Sequence, residues 1–261
     1  MTQRLNATFS KTSTVFVAYI MGGDPDRVAS QRVMNALPAY GVDIIELGIP
    51  FTDPMADGPV IEEAGIRARK SGTTLKTILD MAADFRRTNS DTPIILMGYF
   101  NPIHQMGEAE FAKAAHKAGV DGAIIVDLPP EEDAPLRKAF EPHDLALIRL
   151  ATPTTDAARL PDVVRGTKGF VYYVSMTGVT GTALSGDGSG DISAQVAAVR
   201  KASGLPVVVG FGVKTPERAA QIGTIADGVV VGTAIVKALH EQGEEEALAL
   251  VKSLADGAHS A

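Results

Sequence analysis

Two carboxylates early in the chain have the types and the spacing that an acid–base enzyme uses. Glu46 lies in the run Ile-Ile-Glu-Leu-Gly at 44–48, near the end of a predicted buried strand, and Asp57 lies in the Pro-rich loop at 50–59. Burial disfavours the charged form of a carboxyl group and raises its pKa toward neutral, which suits general acid–base catalysis. Two carboxylates in different environments can also divide the work, one exchanging protons while the other stays ionised.

Each carboxylate also has a purely structural interpretation. Glu46 could pair with a buried lysine or arginine, since structural ion pairs also perturb carboxyl groups. Asp57 could be an Asx-turn residue or the N-cap of the next helix. For Asp53, which precedes Pro54, that turn interpretation is favoured. The presence of Glu46 nearby favours a catalytic role for Asp57.

Eight apolar segments, predicted as β-strands, must position these groups. They are 14–20, 44–47, 93–97, 122–126, 145–150, 169–174, 206–209 and 229–231. Helical patterns separate them, the main ones at 29–40, 75–86, 111–118, 131–140, 156–164, 192–202, 216–222 and 244–254. Most strands are apolar throughout, as expected when both faces are covered, and strand starts recur at roughly 22 to 28 residues.

This alternation predicts the α/β class, as a (β/α)8 TIM barrel with extra helices that forms a single domain over residues 1–261. The unit that leads into a strand recurs: Gly-Val-Asp at 41–43 and 119–121, and Ala-Asp-Gly at 226–228. A doubly wound open sheet is the alternative. Its first loop usually carries G-x-G-x-x-G, which the sequence Gly-Gly-Asp-Pro at 22–25 does not match.

Glycine-rich loops follow the last three predicted strands. They read Thr-Gly-Val-Thr-Gly at 177–181, Gly-Phe-Gly at 210–212 and Gly-Thr-Ala at 232–234. Glycine lets backbone N–H groups approach phosphate oxygens, and the loops after strands seven and eight form the usual phosphate site of such barrels. These residues predict a barrel that binds a phosphorylated small molecule. Isomerisation, epimerisation and aldol-type cleavage all remain open.

Composition excludes several other classes of protein. The net charge of −7 argues against nucleic acid and anionic membranes as partners. The chain has no cysteine, so it has no disulfide or thiolate zinc site, and its five histidines lack metal-ligand spacing. No apolar run approaches the roughly 20 residues that span a bilayer, and residues 1–10 do not resemble a signal peptide. We therefore expect a cytoplasmic protein without a metal.

The sequence resembles the tryptophan synthase alpha chain family. The resemblance is carried by five motifs, which occur in the family's order across nearly the whole chain. They are Glu-Leu-Gly-Ile-Pro-Phe-Thr-Asp-Pro-Met-Ala-Asp-Gly-Pro at 46–59, Met-Gly-Tyr-Phe-Asn-Pro-Ile at 97–103, Asp-Leu-Pro-Pro-Glu at 127–131, Ser-Met-Thr-Gly-Val-Thr-Gly at 175–181 and Gly-Phe-Gly at 210–212. The first motif is long and specific.

The resemblance implies a retro-aldol cleavage of indole-3-glycerol phosphate to indole and glyceraldehyde 3-phosphate. Glu46 matches the family's acid–base residue, and Asp57 matches the carboxylate that hydrogen-bonds the indole N–H and stabilises positive charge on the ring. The remaining site residues implied are Tyr19, Tyr172 and Phe211 in the indole pocket, Gly181, Gly212, Gly232 and Thr233 at the phosphate, and Thr180 in a loop that closes toward Asp57. Thr233 and Thr52 stand where the family commonly has serine, and Glu62 where it commonly has glutamine.

The resemblance also implies a partner. The family's beta chain joins indole to serine with pyridoxal phosphate, in an alpha2beta2 heterotetramer that passes indole through an internal channel. This chain would then need no cofactor of its own, and its loops at 53–59 and 101–103 would contact the beta chain. A stand-alone indole-3-glycerol phosphate lyase that releases free indole is the alternative. Glu46 and Asp57 argue against a catalytically inactive barrel, and the 50–59 motif argues against a phosphosugar epimerase.

Overall fold

The protein is a closed barrel of eight parallel strands. The structure is a computed structural model and describes residues 3–174, 189–210 and 212–261. The strands follow one another around the barrel in chain order, and β1 pairs with β8 to close it. They are β1 Val15–Met21, β2 Ile44–Gly48, β3 Ile94–Gly98, β4 Gly122–Ile125, β5 Ala146–Ala151, β6 Val171–Val174, β7 Val207–Gly210 and β8 Gly228–Val231. The predicted barrel is confirmed.

The helices of the described residues form the outer layer and close the ends. They are α1 Gln3–Lys11, α2 Arg27–Ala36, α3 Pro59–Lys70, α4 Leu75–Arg86, α5 Phe100–Met106, α6 Glu108–Lys117, α7 Ala134–Phe140, α8 Leu160–Val164, α9 Ser189–Ser203, α10 Pro216–Gly223, α11 Thr233–Glu241 and α12 Glu244–His259. Two short 3-10 helices, Leu37–Tyr40 and Glu141–His143, extend α2 and α7. No helix in these ranges is long and apolar enough to cross a membrane.

Two helices begin later than the sequence predicts. The predicted helix at 131–140 begins only at Ala134, because a turn in which the Glu132 N–H donates to the Pro129 carbonyl precedes it. The predicted helix at 156–164 begins at Leu160. There residues 157–159 form a turn, in which the Asp156 side chain accepts the Arg159 N–H at 2.7 Å.

Alternating residues of each strand face two different cores. Val17, Ile44 and Ile124 fill the barrel interior, whereas Ile45 and Leu47 pack outward under the helices. Because side chains alternate along a strand, Glu46 points to the same side as Ile44, into the barrel. Its strand therefore brings a carboxyl group to the interior at the carboxyl end of the barrel.

Helix α1 closes the opposite end of the barrel. Leu5 is fully buried within the interior cluster, and Phe9 packs on Phe170 with ring centroids 5.7 Å apart. The Arg4 guanidinium also donates to the buried Asp121 carboxylate at 2.8 Å. These contacts leave the carboxyl end as the side from which a ligand would approach the interior.

Three aspartates at this closed end connect neighbouring strands by hydrogen bonds. Each lies just before an even-numbered strand and accepts the backbone N–H of a residue at or near the start of the preceding strand. The three pairs are Phe16 with Asp43 at 2.7 Å, Ile94 with Asp121 at 2.9 Å and Val207 with Asp227 at 2.7 Å. The aspartates of the repeated Gly-Val-Asp and Ala-Asp-Gly units therefore connect neighbouring strands by hydrogen bonds.

Candidate active site

Glu46 lies near the carboxyl end of β2 and is 1% exposed. Its Oε2 atom has no hydrogen-bond partner among the described residues. Burial raises the pKa of Glu46 to about 8, so the carboxyl group is largely protonated at neutral pH. No salt bridge involving Glu46 is found within the part of the chain that the structure describes, which argues against the structural ion-pair interpretation. A buried, uncharged carboxyl group can donate a proton to a ligand in the barrel.

Two buried tyrosines flank Glu46. Tyr19 of β1 pairs in register with Glu46, and burial raises its pKa well above the ordinary value, with Asp57 and Glu46 adding to the shift. Burial and then the charge of Glu46 also raise the pKa of Tyr172 on β6. Both phenols are therefore neutral at physiological pH. Their rings give the interior around Glu46 the apolar walls that an aromatic ligand needs.

Glycines make room for these two tyrosines. A Cβ atom on Gly48 would lie 2.3 Å from the Tyr19 hydroxyl oxygen, and one on Gly210 would lie 2.2 Å from that of Tyr172. Any other residue at either position would displace the tyrosine. This spacing role was not predicted, because the two partners come from different parts of the sequence.

Asp57 lies in the loop between β2 and α3 and is half-buried. It is not the N-cap of α3, which is Gly58, so the capping interpretation is wrong. Burial raises the pKa of Asp57, the charge of Glu62 adds to the rise, and a hydrogen bond from Tyr99 opposes it. Because Asp57 and Glu46 both act on the pKa of Tyr19, the two predicted catalytic carboxyl groups lie around the same ring.

Tyr99 belongs to this site, and the sequence analysis gave it no role. It follows β3, is 2% exposed, and accepts the Ala56 N–H on its hydroxyl oxygen at 3.0 Å. Its hydroxyl group also lowers the pKa of Asp57. The only signal in the sequence is its position within the Met-Gly-Tyr-Phe-Asn-Pro-Ile motif. Asp53, by contrast, is exposed; its side chain accepts the neighbouring Thr52 hydroxyl group, and its backbone carbonyl accepts the Met55 N–H at 2.9 Å.

The predicted phosphate residues divide into described and undescribed positions. Gly212 has a left-handed φ of 75°, Gly232 is the N-cap of α11, and Thr233 is the first, exposed residue of that helix. Gly232 carries no side chain to cap the helix, so the first N–H groups of α11 are free to meet an anion. Gly232 also lies against the Tyr19 ring, which places this end of α11 beside the pocket. Thr180, Gly181 and Phe211 lie outside the described residues.

His104 has a 63% exposed side chain that pairs with Glu108 at 2.9 Å, which is a surface role. Within residues 3–174, 189–210 and 212–261, no group of three or more potential ligand side chains is arranged to hold a metal ion.

A parallel eight-stranded barrel with a protonated carboxyl group inside its carboxyl end defines the class as a (β/α)8-barrel enzyme of the acid–base type. The family model described as "Tryptophan synthase alpha chain" matches residues 5–260. The chain belongs to this family, as the sequence motifs predict.

Relatives and solved structures agree with that assignment along the full length. Tryptophan synthase alpha chains from Caulobacter sp. (strain K31) and Caulobacter vibrioides are 53% and 52% identical, over 99% of this chain and 96% of theirs. A crystal structure of tryptophan synthase subunit alpha from Legionella pneumophila str. Paris superposes with a TM-score of 0.91 at 38% identity, covering 100% of both chains. A chain of tryptophan synthase from M. tuberculosis, in an open form, gives a TM-score of 0.89 at 34% identity over 99% of both chains.

Proposed function

We propose that this chain is the alpha subunit of a tryptophan synthase and cleaves indole-3-glycerol phosphate into indole and glyceraldehyde 3-phosphate. The observation that carries the proposal is Glu46, a buried carboxyl group with no partner for Oε2 and a pKa raised to about 8. Membership of the family supports the same reaction. The reaction needs a proton donor inside an apolar pocket, and the chain offers one.

In this proposal Glu46 moves both protons of the cleavage. Its carboxyl group gives a proton to C3 of the indole ring. The resulting carboxylate then takes the proton of the glycerol hydroxyl next to the ring. The carbon–carbon bond breaks, the hydroxyl carbon becomes the aldehyde of glyceraldehyde 3-phosphate, and the bonding electrons return to the ring as indole. A carboxyl group with a pKa near the working pH can act in both directions.

Asp57 has the electrostatic role. Protonation at C3 leaves positive charge on the ring nitrogen, and a carboxylate that accepts the ring N–H stabilises that charge. The hydrogen bond from Tyr99 favours the ionised form of Asp57. The different surroundings of Glu46 and Asp57 thus support a division into proton carrier and fixed charge.

The remaining predicted residues would bind the two ends of the substrate. Tyr19 and Tyr172, with Phe211, would enclose the indole ring. Gly212, Gly232 and Thr233, with Gly181, would bind the phosphate through backbone N–H groups and a hydroxyl group. Thr180 would close its loop toward Asp57.

The beta chain is the partner in this proposal. It would hold the pyridoxal phosphate, and the alpha chain would need no cofactor, because proton transfer by Glu46 and charge stabilisation by Asp57 complete the cleavage. The assembly would be an alpha2beta2 heterotetramer in the cytoplasm. The loop at 53–59 and residues 101–103, which the structure places in α5, would contact the beta chain, and Met55, which is 80% exposed, suits such a contact.

The test is release of indole from indole-3-glycerol phosphate by the purified chain, with and without a beta chain. Slow release that rises strongly with the beta chain supports the alpha-subunit role. Equally fast release in both cases favours the stand-alone lyase, and absence of release in both cases overturns the proposal. Glu46→Gln should abolish this release. Its matched control is Glu63→Gln, which neutralises an exposed carboxylate on α3.

A further inference from the structure

Tyr99 connects the loop between β2 and α3 to the barrel at two points. Its ring stacks on Phe51, with centroids 5.1 Å apart and planes inclined by 26°. Its hydroxyl oxygen accepts the Ala56 N–H at 3.0 Å. The same hydroxyl group lowers the pKa of the Asp57 carboxyl group through a hydrogen bond that favours its ionised form. A tyrosine hydroxyl has one proton and two lone pairs, so it can accept from Ala56 and donate to Asp57 at the same time.

We propose that Tyr99 is a positioning residue, whose hydroxyl group holds the Asp57 carboxylate where it meets the ring N–H of the substrate. The inference rests on the proposed function, because it assigns Tyr99 a task in that reaction. Tyr99 acts through Asp57 and need not touch the reacting atoms.

The loop has little else to fix the position of Asp57. Thr52, Asp53, Met55 and Ala56 are exposed, and Asp57 itself is half-buried. Inside the loop, the Asp57 N–H donates to the Pro54 carbonyl at 3.0 Å. The Tyr99 hydroxyl oxygen accepts the N–H of Ala56, the residue directly before Asp57, at 3.0 Å. Without it, the carboxylate would be held only by the local turn.

Asp127 secures Tyr99 in turn. Its Oδ1 atom accepts the backbone N–H of Phe100 at 2.8 Å, so it fixes the peptide directly after Tyr99 and the first residue of α5. Asp127 begins the Asp-Leu-Pro-Pro-Glu motif, to which the sequence analysis gave no role. A carboxylate at a helix start is stabilised by the free N–H groups there. Asp127 therefore fixes the position of Tyr99, and Tyr99 fixes that of Asp57.

The hydroxyl group of Tyr99 also affects the charge of Asp57. The groups that bear on Asp57 are Tyr99 after β3, Glu62 on α3 and Tyr19 on β1. The bond from Tyr99 lowers the pKa of Asp57, whereas burial and Glu62 raise it. Removal of the hydroxyl group should therefore raise the pKa of Asp57, and the acid side of the pH–rate profile should move to higher pH.

The experiment is Tyr99→Phe in the reconstituted complex with the beta chain, assayed for indole-3-glycerol phosphate cleavage between pH 5 and 9. This variant keeps the ring that stacks on Phe51. The expected result is a kcat reduced by about tenfold, with KM changed by less than about twofold, since a charge-assisted hydrogen bond is lost. The acid side of the profile should move to higher pH. Tyr40→Phe, at a half-buried tyrosine of the 3-10 helix after α2, is the control and should match the wild type.

A double-mutant cycle separates positioning from general packing. If Tyr99 acts through Asp57, Tyr99→Phe should lower kcat by less than about twofold when Asp57 is already asparagine. The same tenfold loss in both backgrounds, or an unmoved pH profile, would overturn the inference. Asp127→Asn should give a smaller loss with the same direction of pH shift, and a shift in the opposite direction would also overturn it.

Failure of the inference and failure of the proposed function remain distinct. If the wild-type complex cleaves the substrate and Tyr99→Phe cleaves it equally well, only the role of Tyr99 is wrong. If the wild-type complex releases no indole, the proposed function itself is wrong, and with it the inference.

Discussion

The two ends of the barrel treat buried carboxyl groups in opposite ways. At the closed end, the fully buried Asp121 accepts on both oxygens: Oδ1 from Arg4, and Oδ2 from Arg86 and from the Ile94 N–H. At the carboxyl end, Glu46 is equally buried, yet its Oε2 has no partner among the described residues. Burial is costly for both groups, but only Asp121 has contacts that offset the cost. A buried carboxylate whose oxygens are all hydrogen-bonded indicates a structural role, whereas a buried carboxyl group with an unpartnered oxygen indicates a functional site.

The strongest test of this comparison is Glu46→Gln. Cleavage should fall by about 10²- to 10⁴-fold, the usual contribution of a general acid–base group, while substrate binding changes little because the side chain keeps its shape. Single-turnover assays and substrate affinity measure the two effects separately. Turnover like that of the Glu63→Gln control would remove Glu46 from the mechanism.

The same variant has a second, pH-dependent effect on folding. The pKa of Glu46 is raised from 4.5 to about 8 in the folded protein, so the folded state retains a proton that the unfolded chain releases. The wild type should therefore lose stability relative to Glu46→Gln as the pH rises from 4.5 to about 8, and the difference should then level off. Urea unfolding at pH 5, 7 and 9 measures this difference. A constant difference across that range would contradict the raised pKa.

Asp121→Asn should show the converse behaviour. Removal of the charge leaves Arg86 and Arg4 without their shared partner, and breaking a buried pair costs about 3–5 kcal/mol of the free energy of unfolding. The folded fraction should still cleave substrate, because Asp121 lies at the closed end. Chemical denaturation and kcat give the two readouts, with Asp91→Asn, an exposed aspartate, as the control. A loss of activity without a loss of stability would reverse the assigned roles of the two ends.

Asp57→Asn should have an intermediate effect. We expect a loss of about 2–4 kcal/mol of transition-state stabilisation, as for other preorganised charges. The value follows from kcat/KM of the variant and wild type in the complex with the beta chain. A reduction of less than about tenfold would demote Asp57 to a residue that only shapes its loop.

The smallest expected effect belongs to the closed end. His259 at the end of α12 hydrogen-bonds Asp43 at 2.7 Å, and this bond raises the pKa of His259, with Asp43 and Asp256 favouring and Lys252 opposing its charge. A raised histidine pKa stabilises the folded state below the unfolded pKa, and the gain is lost as the pH rises through the folded pKa. His259→Gln should therefore cost less than about 1 kcal/mol at pH 5.5, as expected for an exposed pair, and nothing at pH 9. Equal costs at both pH values would show that the charge of His259 contributes nothing.

The sequence predicts more about the barrel than about the contacts around its site. The eight strands and the burial of Glu46 are predictable, because an apolar run, and a carboxyl group within one, are local features. Tyr99 escaped notice because its partner Asp57 is 42 residues away, and a tyrosine after a strand has no distinctive pattern. Gly48 escaped for the same reason, since its Tyr19 contact crosses strands. The predicted starts of α7 and α8 were wrong because a turn precedes each helix, at 130–132 and at 157–159.

The hydrogen bonds of the three aspartates at the closed end connect β1 with β2, β3 with β4, and β7 with β8. With β5 and β6 as the remaining pair, the barrel divides into four quarters of two strands each. The bonds of Asp43, Asp121 and Asp227 each lie within one quarter, so a chain cut at 71–74, between α3 and α4, would sever none of them. In the third quarter, the residue directly before β6, where the other quarters have an aspartate, is Phe170. Its ring packs against Phe9 of α1. At the closed end, three of the four quarters are therefore joined through an aspartate, whereas the third quarter packs there against the N-terminal helix.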